Sequence, residues 1–198
     1  MTGLTILLGA TAALAGSSPW ASPAPGEIHL GAHSGFPWHG VHAEYAPRGP
    51  VALTGQVRTA LFRRTEARIG LQRPWDLSKQ WSVLTSISAG GVYQVGGVPR
   101  QGPQVAGRLS LSRRGRLEPY LSLHDQELFA LESVEIQSGS GEETTRQATR
   151  YSSRGGSLGL RIPVQSQWCI DLAITAGPID SEFAIPSLSA GFNWRPEP

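Results

Sequence analysis

The chain has 198 residues, of which 16% are charged, 24 are Gly and 15 are Pro, with a formal net charge of +2. That length holds one domain. Scarce charge with abundant Gly and Pro excludes a coiled coil, a charge-rich disordered chain and a large multidomain enzyme, and favours short extended segments separated by turns. Lys79 apart, the positive residues are Arg scattered along the sequence. The nearest thing to a basic run, Arg113, Arg114 and Arg116 about Gly115, reads as a solvated turn, so no nucleic-acid partner is expected. Cys169 stands alone and supports neither an internal disulfide nor a Cys-rich metal site.

At the N-terminus, Leu4 to Ala15 form an apolar run ending in Ala13-Leu14-Ala15, small residues placed as signal peptidase requires. About a dozen apolar residues are too few for a spanning helix, which needs about 20. Residues 1–22 are therefore expected to be a cleaved export signal with the start of a linker, and 23–26 the rest of that linker. The Met1-Thr2-Gly3 head departs from the usual signal in carrying no Lys or Arg.

From Glu27 onward the apolar period is two, the mark of strands with one apolar and one polar face. Trp81, Val83, Thr85, Ile87, Ala89, Gly91, Tyr93 and Val95 alternate with Ser82, Ser86, Ser88, Gly90 and Gln94, with Leu84 and Val92 as exceptions. The same pattern predicts ten strands, at about 27–34, 41–47, 51–62, 67–75, 80–95, 104–113, 116–133, 150–162, 167–177 and 186–194. Alternate connections are short (RGP, DLSK, Arg114-Gly115, Pro163 to Ser166), while most of the others are longer, including Val134 to Thr149 and PIDSEFAI. Short turns on one side and longer loops on the other are what an outer-membrane barrel has. The segment GSGEETTRQATR reads as a mobile exposed loop suited to surface contact.

Aromatic residues supply a third line. Tyr45, Trp75, Trp81, Trp168 and Trp194 lie beside short turns or the C-terminus and are expected to form a girdle at one membrane interface. Phe36, Trp38, Tyr93, Tyr151 and Phe183 lie beside the other connections and are assigned to the opposite rim.

On these residues the chain resembles the small outer-membrane β-barrel proteins of Gram-negative bacteria across residues 27–194. The resemblance implies an all-β fold, an antiparallel up-and-down transmembrane barrel, with ten strands favoured and eight the alternative. It also implies that Leu188, Ala190, Phe192 and Trp194 are the terminal-strand signal read by the barrel assembly machinery. Residues 195–198 form a tail beyond that signal, a departure from the family pattern. The implied partners are outer-membrane lipid and the assembly machinery, in the bacterial outer membrane.

Strand parity then directs Arg58, Arg68, Arg108 and Arg161 inward, with Glu44, Glu118 and Asp171 available to pair with them in a structural network. His29, His33, His42 and Glu44 share inward parity and are a weak candidate set for a zinc or copper ion; their spacing matches no metal motif, so no cofactor is expected. Catalysis is not expected either. His33-Ser34 and His124-Asp125 are the suggestive neighbours, but adjacent strand residues face opposite ways. The expected function is a structural or small-solute pore role with a polar, Arg-containing lumen. Two alternatives stand beside it. A secreted soluble barrel binding a hydrophobic ligand would turn the apolar faces inward. An outer-membrane lipid-modifying enzyme would need His33 or His124 beside a Ser at the membrane-facing end of the wall.

Overall fold

A computed structural model describes residues 23, 26–36, 38–60, 63–95, 100–138, 141–165, 167–176 and 186–195, with side chains described outside 133–144. The expected signal segment and most of the linker lie outside the described residues, as does Phe183.

Ten strands form in chain order: β1 Ile28–Gly35, β2 Trp38–Tyr45, β3 Ala52–Ala60, β4 Arg64–Asp76, β5 Trp81–Gln94, β6 Arg100–Arg113, β7 Glu118–Ser138, β8 Gly141–Gln165, β9 Trp168–Ala176 and β10 Ser187–Trp194. Each pairs antiparallel with its sequence neighbours, and β10 pairs with β1 to close the barrel. Closure gives every strand a partner on both sides along the body of the wall, which removes the edges that let open sheets aggregate.

The register fixes the barrel's shape. Following Cα partners from His33 through β2 leads to Thr149 on β8, whereas following them through β10 leads to Arg161, an offset of twelve residues. With ten strands, a rise of about 3.3 Å per residue and a strand spacing of about 4.8 Å, that stagger tilts the strands by about 40°. Membrane barrels tilt by about 35–45°.

Alternation decides what faces where. Outward side chains include Leu30, Val41, Leu53, Ile69, Ile87, Leu111, Leu121, Leu158, Ile174 and Leu188, all exposed. Inward positions carry His29, Glu44, Arg58, Glu66, Arg68, Gln72, Arg108, Glu118, Arg161 and Asp171, all buried. An apolar outside and a charged inside invert a soluble protein and match a wall solvated by lipid. Leu84 and Val92, the exceptions to the alternation, keep the parity of their strand and face inward; Val92 packs with Leu128 and Ala130.

Strand ends depart from expectation mainly at one end of the barrel. Trp38, His39 and Gly40 belong to β2, Arg64 to Glu66 to β4, and Arg100 to Pro103 to β6. The stretch expected as a mobile loop is also strand, since β7 and β8 pair from Glu118↔Arg161 to Ser138↔Gly141. Thr145, Thr149 and Tyr151 favour a pleated backbone, and from Thr145 to Arg150 both faces of the strand are largely exposed, which polarity alone disguises as loop. Ala176, the last residue of β9, faces Gly156, and Arg100, the first of β6, faces Glu132. Beyond those points, among the described residues, β7 and β8 rise as a two-stranded ribbon. The asymmetry between the two ends therefore lies in strand extension; the β1–β2 and β7–β8 connections at the projecting end are as short as those opposite.

Turns at the other end have local causes. Gly49 carries φ 74 between β2 and β3, a left-handed backbone suited to Gly. Ser78 Oγ accepts from the N–H groups of Gln80 and Trp81 at 3.2 and 3.1 Å, holding the β4–β5 turn. The closing seam is tied by Arg195, whose guanidinium donates to Glu27 Oε1 at 2.8 Å and whose N–H donates to Gln167 O at 2.8 Å.

Gly90 marks a close approach within the wall. A Cβ there would lie 2.7 Å from Arg68 Cα and 2.8 Å from Ala67 C, backbone atoms that cannot swing aside. Gly90→Ala is expected to strain the β4–β5 pairing and to lower the yield of folded barrel in detergent, whereas Gly55→Ala, where a Cβ meets nothing within 4 Å, leaves that yield unchanged. Refolding yields of the two variants, scored by gel mobility before and after boiling, test this.

Candidate functional site

The inward faces of β2–β9 bring the charged residues together in the lumen. All seven sequence-selected residues, Glu44, Arg58, Arg68, Arg108, Glu118, Arg161 and Asp171, lie buried on the inner wall. Their partners are only partly those that parity suggested.

Toward the projecting end the hub is Glu66, which lies just before the expected start of β4 at residue 67. Its carboxylate receives Arg58 at 2.5 Å, Arg68 at 2.8 Å and Arg64 at 3.0 Å. Gln104 Nε2 donates to the same carboxylate at 3.5 Å, and Gln126 donates in turn to Gln104. The lattice thus crosses from β3 and β4 to β6 and β7. Trp38 covers it, with Arg58 stacked 4.0 Å above the ring and Arg64 at 5.6 Å. Trp38 is 2% exposed and points inward, so it does not belong to the outer-rim aromatics. Extending the parity of β4 by four residues from Arg68 would have found both Glu66 and Arg64.

A second layer fills the opposite end of the lumen. Arg161 lies 3.6 Å from Glu118 and 3.3 Å from Asp171. Tyr120 donates to Asp171 at 2.7 Å, and Arg161 stands over the Tyr120 ring. Glu44 takes its hydrogen bond from Gln72 at 2.7 Å. Arg108 sits between the layers and donates to Ser122 at 3.1 Å.

The imidazoles do not assemble. His29, His33 and His42 face inward as parity requires, but among the described residues no three His, Cys, Asp or Glu side chains stand close enough to hold a metal ion. His33 and His124 also face the lumen, so neither stands beside a Ser on the membrane-facing wall. A Ser–His pair does occur there, formed by Ser34 and His39.

On the outer surface, Tyr45, Trp75, Trp81, Trp168 and Trp194 point outward at the end of the barrel opposite the ribbon. Trp168 stacks on Phe192 with ring centroids 4.4 Å apart and on Trp194 at 5.7 Å. Leu188, Ala190, Phe192 and Trp194 form the outward face of β10. At the ribbon end Phe36, Tyr93 and Phe129 point outward, whereas Tyr151 turns inward and donates to Glu132. Above the apolar band, hydrogen bonds from Tyr151, with Arg100 and Thr149 adding to them, hold the Glu132 carboxyl below the usual range. Outward charge appears beside this rim as Arg150–Glu127 at 2.6 Å and Arg154–Asp125 at 3.5 Å. Both pairs depend on the β7–β8 register, which sets Arg154 opposite Asp125 and Arg150 beside Glu127 and which alternation within each strand does not carry.

A concavity of about 810 Å³ lined by Leu30, Ala43, Gly55, Ile69 and Phe192 lies on the outer wall. An apolar calyx needs such a lining inside the barrel, where the charged lattices stand instead.

No protein-family model matches the chain, and no curated protein matches it. Among solved structures, it is similar to Ail, the attachment invasion locus protein of Yersinia pestis, at 11% identity and a TM-score of 0.45, over 87% of this chain and 99% of that one. It is similar to the NanC porin at 9% identity and a TM-score of 0.46, over 84% and 97%. Similarity to the N-terminal β-barrel domain of Pseudomonas aeruginosa OprF stands at 12% identity and a TM-score of 0.36, over 86% and 98%. Closure, an even number of antiparallel strands, an apolar outer wall and a polar interior make the fold a transmembrane β-barrel.

Proposed function

We propose that the chain is an integral barrel of the bacterial outer membrane whose lumen is held shut by side chains, a structural barrel that carries the β7–β8 ribbon above the lipid. The observation that carries this reading is the Glu66 lattice. One buried carboxylate engages three Arg side chains and extends through Gln104 on β6 to Gln126 on β7. Strand number agrees with it. A ten-stranded barrel is little wider than the eight-stranded barrels that side chains fill, and water-filled channels come with about 16 strands.

The apolar wall supports lipid as the surrounding partner, with Tyr45, Trp75, Trp81, Trp168 and Trp194 as the interfacial girdle at one end. β10 presents Leu188, Ala190, Phe192 and Trp194 outward, the face we assign to the assembly machinery.

Two measurements test the reading. The exported chain is expected in the outer-membrane fraction, with faster gel migration before boiling than after it. In planar bilayers the same protein is expected to show no steady conductance. Recovery as a soluble protein without heat-dependent migration overturns the membrane assignment. A steady ohmic current from the unaltered chain replaces the closed barrel with a small-solute pore, and the excess of Arg around Glu66 then predicts preference for anions.

A further inference from the structure

The outer face of the β1–β2 hairpin carries a nucleophile beside a base. Ser34 and His39 are register partners on adjacent strands, and Ser34 Oγ lies 2.9 Å from His39 Nδ1. Both side chains are exposed. Adjacent strand residues alternate between faces, so the pair points away from the lumen, the reverse of inward-facing His33 and Gly40.

Its surroundings distinguish it from an ordinary surface contact. One step along each strand toward the centre of the wall, the outward positions are Ala32 and Val41, and the next are Leu30 and Ala43. Ala190 is the register partner of Ser34 on β10, with Leu188 two residues away on the same face. The hairpin ends immediately beyond the pair, between Gly35 and Trp38, with Phe36 outermost. Ser34 and His39 therefore lie where the apolar band meets the aqueous side. In a bilayer this is the depth at which acyl chains join their headgroups. On the other flank of His39 its register partner is Thr59, also outward. When Nε2 carries the ring proton, Nδ1 accepts from the Ser34 hydroxyl.

We propose that Ser34 and His39 form a nucleophile–base dyad that cleaves acyl esters of membrane lipids presented at the rim of the barrel. Ser34 Oγ bonds to the ester carbonyl carbon while His39 Nδ1 takes the hydroxyl proton. The carbon–alkoxide bond breaks, and His39 returns the proton to the departing alcohol. Water then attacks the acyl-Ser34 carbonyl and gives a proton to His39. Fatty acid leaves, and the proton restores the Ser34 hydroxyl. The apolar wall of Ala32, Val41, Leu188 and Ala190 receives the acyl chain, and water reaches the second step from the aqueous side. This activity is independent of the lumen and of whether it conducts.

The test uses the full chain in detergent micelles and in phosphatidylethanolamine vesicles. An alkyl fluorophosphonate is expected to modify Ser34, located by peptide mass spectrometry, and fatty acid is expected to be released from the vesicles. Ser34→Ala removes both signals. His39→Gln lowers both by about 100-fold, within the range that a positioned general base contributes. Because both groups are exposed on the outer wall, both variants should keep the heat-dependent gel migration of the parent, which separates lost chemistry from lost folding. Overturning results are release no faster than from folded Ser34→Ala with no adduct on Ser34, and cleavage of water-soluble p-nitrophenyl esters with vesicle lipid untouched.

Discussion

Glu66→Ala is expected to prevent most of the chain from reaching the folded barrel. The substitution removes the carboxylate that Arg58, Arg64 and Arg68 share and leaves their guanidinium groups buried on the inner wall. Removing one partner of a single buried ion pair costs about 3–5 kcal/mol, most of it from the stranded charge. Here three charges lose the same partner, which places the effect at the top of that range or above it. Trp38 offsets part of the loss through its stacking with Arg58 and Arg64, but it offers no acceptor for their N–H groups.

The measurement is denaturant-induced unfolding in vesicles, alongside the fraction of chain that keeps compact gel migration before boiling. Pairing Glu66→Ala with Arg58→Met and Arg68→Met should restore much of the folded fraction, because buried ion pairs can be exchanged for apolar side chains with little loss. If Glu66→Ala folds as well as the parent, the lattice is not what holds the lumen together.

Strand parity carried much of this architecture. Any alternating strand announces its two faces, and Arg58, Arg68, Arg108, Arg161, Glu44, Glu118 and Asp171 stand on the inner wall because side chains alternate whatever the barrel contains. Which charges meet was legible only where strand limits were right. Glu66 and Arg64 lie one and two steps of the same parity from Arg68, yet the polar run Arg63-Arg64-Thr65-Glu66 resembles a turn until its inward face is seen to be buried. The ribbon was hidden for the opposite reason. Neither face of β8 from Thr145 to Arg150 is apolar, so period-two hydrophobicity has nothing to mark there, and the hydrogen-bonded ladder to β7 carries the structure instead. Ser34 and His39 were separated in the sequence by the hairpin; their meeting depends on the register Ser34↔His39, which composition does not encode.

Ile69→Arg separates a lipid-facing wall from a water-facing one more sharply than any change inside the lumen. Ile69 is 75% exposed, on the outer face of β4, with Leu53, Leu71, Ile87 and Ala89 among its outward neighbours. In water, an Arg at so open a position would be neutral or would improve solubility, since surface substitutions rarely move stability by more than about 0.5 kcal/mol. In a bilayer, the same Arg near the midplane costs about 2–4 kcal/mol, falling to about 0–1 near the interfaces. The expected result is therefore a large loss of stability in vesicles for Ile69→Arg. Tyr45→Arg, within the girdle at the strand end, should lose much less. Gln56→Arg, on the neighbouring strand but facing the lumen, would not follow the depth series, because its cost is set by the charges around it and not by lipid. The three variants need only one assay, unfolding by urea from vesicles of fixed composition. Equal stability of Ile69→Arg and the parent would mean that the exposed apolar wall is not solvated by lipid. A graded loss from Ile69 to Tyr45 would locate the hydrocarbon band on the barrel and, with it, the depth at which Ser34 and His39 stand.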